Sequence, residues 1–171
     1  MSQSPKEFVP LSVAIMTVSD SRDATQDSSG DYFAGAITDA GHLVAERLIC
    51  PDNRYHIRAA VSRWIASQQV QVIIINGGTG FHQKNSTPEA IEPLLDRTIE
   101  GFGELFRMIS YEDIGAATLQ SRALAGLANQ TLIFALPGST NACSQAWERI
   151  ISSQIDARTR PCNFVSQLKK I

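Results

Sequence analysis

The run Val70-Gln71-Val72-Ile73-Ile74-Ile75 constrains this chain more than any other segment. A strand with one face in water alternates apolar and polar residues. A nearly unbroken β-branched run instead suits a strand covered on both faces, as at the centre of a parallel sheet. Parallel neighbours require long crossover connections, so the flanking sequence should supply helices. It does. Residues 12–18 form a second apolar run that stops at Ser19-Asp20-Ser21-Arg22-Asp23, and residues 43–50 form a weaker strand, interrupted by Glu46 and Arg47 and stopped by Pro51-Asp52-Asn53. Between these runs, residues 31–40 place Tyr32, Ala36 and Ala40 near one helix face and end at Gly41, a natural C′ residue. Residues 57–68 repeat Ile57, Val61, Trp64 and Ile65 at helical spacing. The β-α-β-α-β order predicts right-handed crossovers with helices on both faces of the sheet.

The second half is read with the same signals. Thr87-Pro88-Glu89-Ala90 starts a helix running to about Leu95, with Thr87 as the N-cap and Pro88 at the first helical position. Gly101-Phe102-Gly103 is expected to break the chain before a helical pattern resumes over residues 104–109. Residues 124–128 and 131–136 flank Asn129-Gln130 as an antiparallel hairpin. Ser139 caps a helix carrying Ala142, Ala146, Trp147, Ile150 and Ile151, and residues 158–171 read as a polar tail. There is no internal repeat or linker. At 171 residues the expectation is a single three-layer α/β/α domain with a mostly parallel sheet, residues 1–10 and 159–171 being terminal extensions.

Composition narrows the function classes. With 15 Lys+Arg against 17 Asp+Glu there is no broad basic field for nucleic acid, although a local cationic site for a small anion is compatible with this balance. The longest apolar runs are far shorter than a bilayer span, and residues 1–10 lack an apolar secretory core, so no membrane partner is expected. Cys50, Cys143 and Cys162 are odd in number without CxxC spacing and read as reduced thiols of a cytoplasmic protein. His42, His56 and His82 form no helix-face pair, which argues against zinc.

Ligands of open α/β sheets bind beyond the carboxyl ends of the strands. Four such ends, within residues 17–30, 50–53, 76–88 and 137–142, are rich in small and polar residues. Gly77, Gly78, Thr79 and Gly80 form the sharpest signal: glycines let backbone N–H groups approach an anion, and Thr79 adds a hydroxyl. The loop has neither Walker A nor GxGxxG spacing. A tight turn that needs positive φ is the simpler alternative. Pro137, Gly138 and Ser139 repeat the theme at a helix start, where plain N-capping would also suffice. Ser19, Asp27, Ser28 and Gly30 read either as ligand contacts or as a polar loop. Asp52 and Glu89 are candidate acids with ordinary turn and helix-dipole alternatives, while Ser110, Glu112 and Asp113 add polar density. No Ser-His-Asp or Cys-His spacing exists, so the residues point to binding of a phosphorylated molecule with Mg²⁺ rather than to covalent catalysis.

Taken in order, Thr17-Val18-Ser19-Asp20, Asp27-Ser28-Ser29-Gly30, Pro51-Asp52, Gly77-Gly78-Thr79-Gly80, Thr87-Pro88-Glu89, Gly101-Phe102-Gly103-Glu104 and Leu136-Pro137-Gly138-Ser139 carry a resemblance. The chain resembles the molybdenum cofactor biosynthesis proteins of the molybdopterin-binding superfamily, and its segment Asp156-Ala157-Arg158-Thr159-Arg160-Pro161-Cys162-Asn163 is similar to the B-type branch. The resemblance implies a three-layer α/β fold, a homotrimer or homohexamer, and other molybdenum cofactor biosynthesis proteins as partners. It also implies binding of molybdopterin, with Mg-ATP adenylylating the terminal phosphate of the pterin. It places Asp52 at an acidic catalytic and metal position, Gly77 to Gly80 in the phosphate loop, and Pro137, Gly138 and Ser139 on the pterin side. There is one departure: where the family usually has an aspartate two residues before Thr-Pro, this chain has Asn85. Asn85 retains an oxygen for a cation but loses the charge. Two readings follow, a molybdopterin adenylyltransferase and a non-catalytic molybdopterin or nucleotide carrier.

Overall fold

Six strands form one sheet in the order β2-β1-β3-β6-β5-β4. They are β1 (Ser12–Val18), β2 (Leu43–Cys50), β3 (Val72–Asn76), β4 (Arg97–Thr98), β5 (Leu124–Ala128) and β6 (Thr131–Leu136). β1, β2, β3 and β6 are mutually parallel, while β5 and β4 add an antiparallel edge. The computed structural model describes residues 7–171. The expectation for residues 1–6, an extension without an apolar leader, lies outside the described residues.

Burial on both faces explains the continuous run. Ile74 turns toward α1 (Ser28–Asp39), α4 (Glu100–Ile114) and α5 (Thr140–Ala146), in a core with Phe33, Phe106 and Trp147. Its neighbours Ile73 and Ile75 turn the other way, toward α2 (Arg54–Ala66) and α3 (Thr87–Ile91), with Ile57, Val61 and Trp64. The layers are therefore helix, sheet, helix. The chain steps one way from β1 to β2 and back past β1 to β3, so crossovers of one hand put α1 and α2 on opposite faces. That reversal opens a crevice between β1 and β3.

Several expectations are corrected. α1 begins at Ser28, not at residue 31, because the Asp27 carboxylate accepts the Gly30 amide at 3.0 Å as N-cap. α2 begins at Arg54, capped by Asn53. Gly101-Phe102-Gly103 does not break the chain; it forms the first turn of α4. Phe102 is buried against Phe106 and Phe134, and a Cβ at Gly103 would lie 2.6 Å from the Ala123 carbonyl oxygen, so close packing rather than chain reversal uses that glycine. Thr87 is not the cap of α3 but its first residue. The short strand β4 and the 3₁₀ segment Gly115–Gln120 were not expected at all. After α5 the helix continues as a π-helical stretch, Trp147–Ile151.

The hairpin of β5 and β6 is as expected, with Asn129 and Gln130 both at positive φ. The last residues are not a free polar tail. Leu168 is buried, and the Lys169 ammonium donates to the carbonyls of Ile65 and Ser67 at 2.9 and 2.7 Å, closing the end of α2. Among the described residues, no helix is long and apolar enough to cross a membrane.

Candidate functional site

Register levels the parallel strands at their carboxyl ends. Thr17 pairs with Asn76, Asn76 with Leu136 and Val18 with Cys50, so the loops that follow emerge along one edge. Three of them meet. A Cβ on Gly77 (φ +97°) would lie 2.4 Å from the Val18 carbonyl oxygen, and one on Gly138 would lie 3.1 Å from the Gly77 Cα. Only glycine allows backbones to approach this closely. Thr87 closes the glycine loop, its amide donating to the Gly78 carbonyl at 3.0 Å and its hydroxyl to the Gly77 carbonyl at 2.8 Å.

Asp52 stands at the rim, half-buried. Its Oδ1 accepts the Ser86 amide and hydroxyl, both at 2.9 Å, and its Oδ2 accepts the Asn85 side-chain amide at 3.0 Å. Its own amide donates to Asp20 at 2.9 Å. Among the described residues no cluster of three or more His, Cys, Asp or Glu could enclose a metal. Asp52 and Asp20 are two carboxylates side by side, fewer ligands than a magnesium ion takes unless phosphates and water complete its shell.

Beyond Gly138 the Ser29 hydroxyl donates to the Gly138 carbonyl at 2.8 Å, and the Ser28 and Thr140 hydroxyls lie 3.1 Å apart. The Ser139 hydroxyl caps α5 through the Ala142 amide at 3.2 Å. A small cavity of about 90 Å³ between α4 and this loop is lined by Ser110, Asp113, Pro137, Ser139 and Asn141.

The other candidate residues have different surroundings. Asp27 is buried beneath the crevice, engaged by the Thr17 hydroxyl at 2.8 Å and by Arg47 at 3.2 Å, and Gly30 packs against it. Ser19 shapes its loop by accepting the Ser21 and Arg22 amides. Glu112 is exposed and paired with Arg149 at 2.7 Å. Cys50 is buried, and burial followed by the charge of Asp52 pushes its thiol up, which disfavours the thiolate.

One organising residue escaped the sequence reading. Arg122, from the segment before β5, donates to the carbonyls of Thr79, Gly80 and Asn85, with its shortest such contact 2.7 Å to Gly80. It also lies 5.1 Å over the Phe81 ring and pairs with Glu89. Burial raises the Glu89 carboxyl, but the Arg122 guanidinium, the Glu89 backbone amide and the charge of Arg54 together hold it below the usual carboxylate range. No local signal marks Arg122, because its acceptors are main-chain carbonyls some forty residues earlier in the chain.

A family model described as "Probable molybdopterin binding domain" matches residues 14–157, which include every one of these loops. The chain belongs to this family. Molybdenum cofactor biosynthesis protein B of Escherichia coli (strain K12) is 58% identical over 170 residues, covering 99% of this chain and all of the relative. A crystal structure of a molybdenum cofactor biosynthesis protein B superposes with TM-score 0.83 at 39% identity, covering 90% of this chain and 94% of that one. The tungsten cofactor synthesizing protein MoaB from Pyrococcus furiosus follows at TM-score 0.75 and 32% identity, covering 82% and 90%. The three-layer fold expected for the molybdopterin-binding family is therefore the observed one.

Within this family's fold, Asn85 takes on a definite role. It is a hydrogen-bond donor to Asp52, a role an ionised aspartate could not fill.

Proposed function

We propose that the chain acts in molybdenum cofactor biosynthesis, binding molybdopterin and Mg-ATP in this crevice and transferring AMP to the terminal phosphate of the pterin. The observation that carries this reading is the convergence of Gly77 and Gly78 with Val18 and Gly138 beside the carboxylate of Asp52. A phosphate oxygen of molybdopterin forms the new bond to the α-phosphorus of ATP, the bond from that phosphorus to the bridging oxygen breaks, and pyrophosphate leaves. No protein nucleophile is needed, so the chain's task is alignment and charge placement. The glycine loop presents backbone to phosphate, the 137–139 loop faces the pterin, and Asp52 with Asn85 is the side that would hold magnesium. Bound magnesium would supply charge neutralisation on the phosphates.

The carrier reading has one observation in its favour: Asn85 donates to Asp52, so the position where the family pattern has an aspartate adds no carboxylate to the rim. Incubating the protein with molybdopterin and Mg-ATP, then detecting adenylylated pterin and pyrophosphate, decides between them. Asn85→Asp sharpens the test. It would face two carboxylates across about 3 Å, a repulsion of several kcal/mol at an effective dielectric of about 20 before relaxation. A divalent cation relieves it. The variant should be destabilised by about 1–2 kcal/mol in chelator, regain this with Mg²⁺, and gain roughly tenfold in Mg²⁺-dependent turnover. Asp52→Ala should lose what activity remains. An unchanged Mg²⁺ dependence in Asn85→Asp, with activity surviving in Asp52→Ala, would sink the metal-side assignment.

Self-association as a homotrimer or homohexamer belongs to the same proposal. Leu105, Met108, Tyr111 and Ile114 follow one another every three residues along α4 and are 47%, 60%, 62% and 50% exposed. A contiguous apolar stripe of this kind marks a contact surface. Light scattering at micromolar concentration should give a mass well above 18.6 kDa, and Met108→Glu should lower it. A wild-type monomer would refute the assembly.

A further inference from the structure

The loop over residues 19–26 straddles the crevice. At one end Asp20 accepts the Asp52 amide at 2.9 Å. At the other, Arg22 reaches the Gly138 carbonyl at 3.3 Å and the Ser29 hydroxyl at 3.5 Å. Of residues 20–26, every one but Arg22 is exposed, and Arg22 alone is half-buried. Local bonds impose that direction. The Ser19 hydroxyl oxygen accepts the Ser21 and Arg22 amides at 3.3 and 3.1 Å, and Asp23 accepts the Thr25 amide at 2.9 Å.

The guanidinium arrives with most of its donors unused. Both contacts come from Nη1, are long, and go to neutral acceptors; among the described residues Nε and Nη2 have no acceptor and no carboxylate lies within ion-pair distance. Asp27, the buried acid of this region, is already taken by Thr17, Gly30 and Arg47. Partly burying an unpaired guanidinium is unfavourable unless an anion completes it. The position suits one. Gly138, which Arg22 touches, packs directly on Gly77, and the Ser28 and Thr140 hydroxyls stand beside it. Arg122 is not a substitute, because its donors are committed to the loop over residues 79–85 and to Glu89.

We infer that Arg22 is a substrate-binding residue that takes the terminal phosphate of the pterin on the Gly138 side of the crevice, an assignment that rests on the function proposed above. In adenylyl transfer two phosphate groups must approach each other. Asp52 and a cation it would hold belong to the nucleotide side, and the attacking phosphate needs positive charge of its own. Arginine suits this because its planar fork binds two phosphate oxygens at once.

The test uses the full chain. Molybdopterin is titrated by its fluorescence, and a non-hydrolysable Mg-ATP analogue is titrated separately. Arg22→Gln should weaken molybdopterin binding roughly ten- to a hundredfold, leave the nucleotide analogue within about twofold, and keep the unfolding midpoint, since the loop is exposed. Arg22→Lys should recover part of the loss, because it restores charge without the fork. Wild-type molybdopterin affinity in Arg22→Gln overturns the assignment. So does equal weakening of both ligands, which would mean that Arg22 only braces the loop. If the wild type binds no molybdopterin, the proposed function itself falls, and Arg22 with it.

Discussion

Gly78→Val should abolish molybdopterin and nucleotide binding and lower stability by about 3 kcal/mol. Gly78 has φ +66°, where an L-residue costs roughly 1–2 kcal/mol and a β-branched one more. Space is the larger problem. A Cβ there would lie 2.3 Å from the Thr87 hydroxyl oxygen, 3.0 Å from Val18 Cγ1 and 3.1 Å from Asp52 Oδ2. The Thr87 hydroxyl is itself fixed by donating to Gly77, so it cannot yield without opening the glycine loop. Asp52 would be displaced at the same time. Among the nearest contacts only Val18, at the end of β1, belongs to a hydrophobic layer, so the variant should still fold, with a lowered denaturant midpoint. Binding that matches the wild type would show that the ligands do not use the glycine loop.

The second large effect is expected at Arg122. Arg122→Ala removes the donors to the carbonyls of Thr79, Gly80 and Asn85 and leaves Glu89, whose Oε2 already lacks a partner, without its counter-charge. The loss should be about 2–3 kcal/mol of stability, together with release of the loop that carries Asn85 to Asp52. Nucleotide affinity should fall by at least roughly tenfold, since an unfastened loop must be reordered by the ligand. Glu89→Gln serves as the comparison. It keeps the guanidinium on the carbonyls and, with Glu89 39% exposed, should cost under about 1 kcal/mol. If the two variants behave alike, the ion pair rather than the carbonyl clasp holds the loop. Faster proteolysis or hydrogen exchange confined to residues 79–85 in Arg122→Ala would locate the effect.

The elements that could be read from sequence alone are those whose signal is local. The run at Val72–Asn76, the helical repeat of Ile57, Val61 and Trp64, the Asn129-Gln130 turn and the Ser139 cap each record a backbone preference in adjacent residues. They suffice for an α/β fold with its loops on one edge, and the motif order suffices for the family. The errors have one cause. Gly101-Phe102-Gly103 has poor helix propensity, yet burial of Phe102 against Phe106 and Phe134 outweighs it, and propensity is the weaker term when an apolar face is packed. Ser28-Ser29-Gly30 looked like loop because its capping partner, Asp27, is identified only by the bond it makes.

The same division runs through the crevice. Sequence alone determined where a backbone can be approached without a side chain in the way, at Gly77, Gly78 and Gly138, and that Asn85 lacks the charge of an aspartate. Tertiary structure decided what each polar group faces. It buried Asp27, paired Glu112 with Arg149, brought Asn85 onto Asp52, and delivered Arg22 and Arg122 from distant segments. Glycine's freedom is a property of the residue and is legible wherever it stands. The partner of a charge is fixed only when the sheet brings remote chain ends within about 3 Å of one another.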